Sequence, residues 1–304
     1  MELLSEAPVA KQAPILSTPD NLKLYGTLVS TSNRSSLEVD TALPWANGID
    51  KAVLPKRAEH SWIYGTRYWD MLTDEQKHEL LWLENGRDVT AFIKLERYLP
   101  ILYVGYILKY RDELPKEIYD YLLIFSKEEI VHTMMFKRYM KLAQLPMIMD
   151  PESPFKAFLA VVGDMKPVFG IFFTLVLEWA AELNAVHLSQ YEGCEPLTKR
   201  MFREHHVEEV RHIAFGKRIV EDFFEQGDPE EVARIREQFK PIVQGVYDEI
   251  TFNRMMEDFT SFKFPVSKDD KEAIQEIRTS EHNRKLNAVR FKDLNDWLAK
   301  LGFE

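Results

Sequence analysis

The chain has little of what several common chemistries require. Cys194 is the single cysteine in 304 residues. That excludes an internal disulfide framework, and it excludes zinc–thiolate and iron–sulfur centres, which need several thiolates. A reducing, cytoplasmic compartment fits the same scarcity. Basic charge is short as well: 39 Lys and Arg stand against 49 Asp and Glu, a net charge of -10, so the basic footprint of a nucleic-acid-binding protein is missing. There is no Gly-x-Gly-x-x-Gly, hence no flavin or nicotinamide fingerprint. The longest strongly apolar run, Pro167 to Leu177, ends at Glu178 and is too short to span a bilayer. Met1-Glu2-Leu3-Leu4-Ser5-Glu6 is acidic and lacks the basic and apolar regions of a secretory signal. No stretch alternates as a strand would. The expectation is a cytoplasmic protein that engages neither nucleic acid nor membrane.

What is present suits a large helical core. Apolar residues make up 45% and charged residues 29%, the balance of a globular protein of one domain or two. Residues 1–46 are rich in Ser, Thr, Pro and Asn without clear periodicity, which predicts a poorly ordered tail or an arm across the bundle. The division expected is an arm over residues 1–50 and a single helical domain over 51–304. Helical patterning begins near Trp62. Thr73 and Gln76 form a capping box that opens a helix carrying Leu80, Leu81 and Leu83. A second helix is expected from about Asp88 to Tyr110. Pro100 lies inside it, so the helix kinks there or its boundary lies elsewhere. Pro115 and Glu117 open a long helix to about Lys141. A connector leads to a short helix from Phe155 to Val162, then a long apolar helix from Met165 to about Tyr191. After a turn at Gly193-Cys194-Glu195-Pro196, a helix runs from Leu197 to about Gln226 and is stopped by Gly227-Asp228-Pro229. Two more are expected, Glu230 to about Phe259 and Asp269 to Leu298. The fold class is all-α, a four-helix core with additional flanking helices.

The chemistry lies in polar residues at helical spacing. His205, Glu209 and His212 fall at i, i+4 and i+7 and share one face. Two imidazoles and a carboxylate on one face suit a metal, in a chain with only eight His. Glu129 and His132 form Glu-x-x-His, and Glu209 and His212 repeat it. Two such helices plus one inward Glu from each of two others is the ligand set of a carboxylate-bridged di-iron or di-manganese site. Glu96, 33 residues before Glu129, and Glu178, 31 before Glu209, supply the lone glutamates of two similar helix pairs.

Each residue also has a plainer reading. Glu129 and His132 read alone are a surface pair, but Ile130, Val131, Met134, Met135 and Phe136 around them point to burial, where an unpartnered carboxylate is costly. Glu178 follows Phe172, Phe173, Leu175, Val176 and Leu177; it holds a metal or half of a buried Glu–Arg pair, with Glu182 one turn on as the alternative ligand. His205 is a seventh ligand, a hydrogen-bonding support for the others or a surface residue. His206 is expected at the surface, Glu208 facing a supporting partner or solvent, Arg211 pairing with a carboxylate, and His187 outside the site. Oxygen donors with a few nitrogens suit iron or manganese. Phe92, Tyr98, Tyr103, Phe172, Phe173, Trp179 and Phe215 are available to line a dry cavity or to fill the core.

Together, Glu96, Glu129-x-x-His132, Glu178 and His205-x-x-Glu208-Glu209-x-x-His212 resemble the ferritin-like di-iron oxygenases of the p-aminobenzoate N-oxygenase (arylamine oxygenase) type, over about Tyr64 to Phe224. The additional His205 one turn before the second Glu-x-x-His is the most specific element, and the spacing of 27 from Glu178 to His205 is similar too. Glu208 stands where an aspartate is expected. The resemblance implies two Fe ions, with Mn as the alternative, held by all seven residues, and no catalytic side chain beyond them. It implies O₂ as co-substrate and N-oxygenation of an amine through a peroxo-di-iron intermediate, an aromatic amine in the type members. A small-molecule substrate, an external electron donor and a homodimer complete the expectation. The alternatives are a di-iron C–H hydroxylase or desaturase, a ferritin-like iron-handling protein, and a metal-free helical scaffold.

Overall fold

Helix starts much earlier than the polar N-terminal composition predicts. In the computed structural model, which describes residues 14–151, 162–189 and 191–303, the first helix, α1, runs Pro19–Arg34. Thr18 caps it by accepting from the Asn21 N–H, and Pro19 occupies its first turn. Tyr25, Leu28 and Ser32 are its buried residues, at i, i+3 and i+7. Thr27 and Ser30 donate to the carbonyls four residues back, so hydroxyls that suggest a loop are satisfied within the helix.

The capping box at Thr73 is present, with Gln76 N–H on Thr73 Oγ1 and Thr73 N–H on Gln76 Oε1. The helix it opens, α2 (Asp74–Glu96), runs straight through Asp88, where a boundary was expected. The chain breaks after Glu96 instead, and α3 covers Leu99–Tyr110. Pro100 therefore lies in the first turn of α3, where a missing N–H removes no helical bond. α4 (Lys116–Ala143) has Pro115 at its N-cap and closes with Gln144 in the left-handed region, φ 52°. α5 spans Pro167–Ser189, and α6 spans Pro196–Gln226 with Glu195 Oε2 accepting from the Thr198 N–H.

The C-terminal quarter is more divided than expected. α7 (Pro229–Thr251) tolerates Pro241 within it and stops short of Phe259; a 3-10 turn capped by Asn253 follows. The single helix expected from Asp269 to Leu298 is three: α8 (Lys271–Arg278), α9 (Glu281–Arg290) and α10 (Lys292–Lys300). Side-chain caps at Asp270 and Ser280 set two of the starts. The short helix expected from Phe155 lies on residues 155–161, outside the described residues; Val162 begins a 3-10 turn, Val162–Asp164.

Helices α2, α4, α6 and α5 form a closed ring of neighbours: α2 packs on α4, α4 on α6, α6 on α5 and α5 on α2. Outside it, α1 covers α4 and α6, α3 covers α4, and α7 covers α5. No strand occurs among the described residues. This is an all-α, ferritin-like four-helix core with flanking helices. α5 is the central wall. Its apolar stretch continues past Glu178 to His187, long enough by composition to cross a membrane, yet 78% of that window is buried in the bundle. Phe172 stacks on Phe239 of α7 at 4.4 Å and 11°. At the α5–α6 contact, a Cβ on Gly216 would lie 3.2 Å from Leu175 Cδ1, so glycine is what lets the two helices meet so closely. Cys194 is buried, its Sγ 3.1 Å from the Pro55 carbonyl, and burial pushes its thiol up to about 12.

Truncating the stacked ring should measure how far the flanking helices hold the core. Phe172→Ala is expected to cost about 3–5 kcal/mol in urea unfolding of the metal-free protein. A cost under ~1 kcal/mol would mean that α7 contributes little to the bundle.

Candidate metal centre

The bundle interior is where four helices each turn a carboxylate inward. Glu96 ends α2, Glu129 and His132 lie in the middle of α4, Glu178 in the middle of α5, and His205, Glu209 and His212 along α6. None of the seven is more than 4% exposed. Six of them gather into two sets. Glu96, His132, His205 and Glu209 each offer a ligand atom, all within 4.8 Å of one another, and so do Glu129, His132, Glu209 and His212. The sets share His132 and Glu209, so they describe two adjoining positions. Glu178 joins neither set. Its Oε1 is buried without a hydrogen-bond partner, and the charges of Glu129, Glu209, His212 and Glu96 all act on it.

Most of the converging atoms do not hydrogen-bond one another; the exception is His205 Nε2, 2.9 Å from Glu96 Oε1. His212 Nδ1 is 2.9 Å from Glu129 Oε1 and 3.2 Å from Glu209 Oε1, and His132 Nδ1 is 3.2 Å from Glu209 Oε1. Yet both Nδ1 atoms and all four oxygens of Glu129 and Glu209 are buried with no hydrogen bond. Buried polar atoms are almost always satisfied. Lone pairs aimed at a common point rather than at a donor fit a cation.

Outside these sets, each imidazole is held by its other nitrogen. His132 Nε2 lies 2.9 Å from Glu208 Oε2, His212 Nε2 2.8 Å from Glu128 Oε2, and His205 Nδ1 3.1 Å from Glu182 Oε2. A carboxylate only accepts, so these nitrogens carry hydrogens, and a cation that displaces the second proton of each ring would meet the inner lone pair. Glu182 is thus a support for His205, and for half-exposed His206, whose Nδ1 is 2.6 Å from Glu182 Oε1. Arg211 donates to both Glu128 and Glu208. Glu128 is the residue that sequence reasoning missed. The signal was there: both motifs read Glu-Glu-x-x-His, and the first Glu of each holds the His of the other.

Rings pack the imidazoles in place. Phe125 stacks on His212 at 3.7 Å, and Phe92 and Phe136 meet His205 edge-on at 4.8 and 4.9 Å. His187 faces His60 and belongs to neither set. An apolar cleft of about 110 Å³ opens between α2, α5 and α7. Ala91 and Leu95 of α2, Leu177 and Ala181 of α5, and Val246 and Ile250 of α7 form its walls; Leu95 and Leu177 are the chain neighbours of Glu96 and Glu178. Arg87, Lys94, Asp150 and Glu249 add charge to the lining. None of the seven aromatics available for a cavity is among the described residues that line it.

Electrostatics in the cluster follow from burial and crowding. Burial raises Glu178 well above the carboxylate range, and the charges of Glu129 and Glu209 add to it. Glu129 rises to about 7, through burial and then Glu209. On Glu209 burial is outweighed by His212 and His205, which hold it low. On His132 burial is outweighed by Glu208 and Glu209, which raise it to about 9.

Raised groups bind protons more tightly folded than unfolded. Their stabilisation is complete below the unfolded values, roughly 4.3 for Glu and 6.5 for His, and is lost as pH climbs through the folded ones. Metal-free protein should therefore lose thermal stability from about pH 4.5 to 7 through Glu129 and from about 6.5 to 9 through His132. Metal loading, which displaces those protons, should release acid in an unbuffered titration and raise the melting temperature more at about pH 8.5 than at about pH 6. A metal-induced gain that is larger at the lower pH would contradict this charge balance.

A search of curated proteins found no match. The model of the family described as "P-aminobenzoate N-oxygenase AurF" matches residues 18–302, and with that match the chain belongs to the p-aminobenzoate N-oxygenase family.

Proposed function

We propose that this chain is a non-haem di-iron, O₂-dependent N-oxygenase acting on an aromatic amine. Membership of the family makes it an oxidoreductase of the monooxygenase type, and its buried acid–histidine clusters fit a di-iron site. The observation that carries the reading is the convergence of buried carboxylate oxygens and imidazole nitrogens in two overlapping sets, most of them without a hydrogen bond. Glu96, Glu129, His132, Glu178, His205, Glu209 and His212 hold the metals in this reading. Two irons so held would supply the electrons that turn O₂ into an oxidant.

The chain's own residues do the rest. Glu209 and His132 are common to both sets, and Glu209, with two carboxylate oxygens, would be able to serve both positions. Glu128, Glu182 and Glu208 keep three imidazoles facing inward. In this reading the apolar cleft receives a flat ring between α2, α5 and α7, its reacting end toward Leu95 and Leu177, the neighbours of Glu96 and Glu178. The electron donor is external in this reading, since the sequence carries no flavin or nicotinamide fingerprint. Exposed Ile130 and Met134 on α4, with Val207 and Val210 on α6, support a homodimer.

Metal analysis of anaerobically loaded protein should find close to two irons per chain, and Glu178→Ala and His205→Ala should each lose metal. The reduced protein, given O₂ and a panel of aminoarenes, should form N-oxidised products. Product from none of them, with metal retained, would move the reading to C–H hydroxylation or desaturation. The cleft has its own check. Ile250→Trp, on a wall that carries no proposed ligand, should raise KM at least about tenfold while leaving iron content unchanged, the loss of roughly 1.4 kcal/mol of binding. An unaltered KM would place the substrate elsewhere.

A further inference from the structure

Glu128 and Glu208 can orient His212 and His132 only if they are themselves held. Among the described residues, the second oxygen of each finds its donors outside the two motif-to-motif contacts. Glu128 Oε1 accepts from Arg211 Nη2 at 2.9 Å. Glu208 Oε1 accepts from Arg211 Nη2 at 3.2 Å and from the Leu37 backbone N–H at 2.9 Å. Arg211 in turn is held by the N-terminal segment. Its Nε donates to Ser32 Oγ at 2.9 Å, and Nη2 approaches the Ser35 carbonyl at 3.5 Å. The remaining contact, Nη1 to the Val207 carbonyl at 3.1 Å, is local to α6. Ser32, Glu128, Glu208 and Arg211 are all buried. From Ser32 and Leu37 the chain of bonds reaches the imidazoles through buried side chains.

We propose that residues 32–37 are a working part of the metal centre: through Arg211 and Glu208 this segment orients His132 and His212 and so sets how tightly the centre holds metal. Arg211 and Ser32 are positioning residues, since neither reaches the converging atoms. Arginine is required because one planar fork has to serve Ser32 and both carboxylates at once, which an ammonium on a flexible stem does not do. Coupling of this kind is reciprocal, so metal binding tightens the segment as much as the segment tightens metal binding. The inference rests on the di-iron reading above.

The test uses full-length protein, anaerobic Fe(II) and a competing chelator. α1 is also tied down elsewhere, by the Thr18 N–H and Asn21 Nδ2 on Asp222 Oδ2, so Ser32→Ala should fold. Arg211→Lys is expected to weaken Fe(II) binding ~10–100-fold, the usual loss when a group supporting a metal ligand is removed. Ser32→Ala should weaken it by a smaller factor, with the helix content and melting temperature of its metal-free form close to the parent's. In the parent, Fe(II) loading should slow amide hydrogen exchange over residues 32–37. Parental affinity in both variants would overturn the proposal, as would unchanged exchange in that segment. So would a Ser32→Ala variant whose loss of affinity is matched by an equal loss of metal-free stability, which marks general loosening. Absence of iron from the loaded parent is a separate result, and it refutes the di-iron reading itself.

Discussion

Anionic groups crowded out of water govern this structure. Seven carboxylates and three imidazoles (Glu96, Glu128, Glu129, Glu178, Glu182, Glu208 and Glu209 with His132, His205 and His212) are buried in and around one cluster. An isolated buried charge costs several kcal/mol, so each must be paired, protonated or bound to a cation. The fold separates the problem into two layers. Outer carboxylates are satisfied by imidazole N–H groups, Arg211 and the Leu37 amide. Inner ones, apart from the Glu96 oxygen that meets His205 Nε2, keep oxygens without a hydrogen-bond donor. The helices are long enough, and the wrapping by α1, α3 and α7 complete enough, to keep water from relieving that arrangement.

The two layers are built by repetition that is broken at chosen points. Glu128-Glu129-x-x-His132 on α4 and Glu208-Glu209-x-x-His212 on α6 exchange supports, so neither helix is correctly furnished without the other. Seven residues before His212 stands His205; seven before His132 stands Phe125, which stacks on His212. One motif carries Arg211 where the other has Val131. A third imidazole and a single guanidinium on the same helix thus break the equivalence of the halves. Each set nevertheless counts two imidazoles, because His132 belongs to both, and aromatic rings pack His205 as well as His212.

Much of the centre was legible because metal chemistry forces rare residue types into helical register. Histidine at i and i+7 around a glutamate, and a lone Glu178 in an apolar helix, are costly to bury unless a cation binds among them. The supports were harder to see. Glu128 lies about 100° around the helix from Glu129, where a charged residue usually means solvent, and only α6 packed against it makes that face interior. α1 escaped because its serines and threonines bond within the helix. The break after Glu96 escaped because Pro100 is equally compatible with a kink and with a first turn. The cleft depends on α7, joined to α2 and α5 by tertiary packing alone, and no local pattern encodes that.

The contact between Gly216 and Leu175 carries a consequence for the centre's dimensions. Gly216 lies two turns beyond Glu209 on α6, and Leu175 three residues before Glu178 on α5. The gap at this point acts as a spacer gauge. It fixes how near the α5 carboxylate can stand to those of α6, and it does so with the smallest residue available. A single methyl at 216 would ask Leu175 to yield by a few tenths of an ångström. Variation at these two apolar positions is therefore a means of retuning the spacing of a charged site without touching any charged residue.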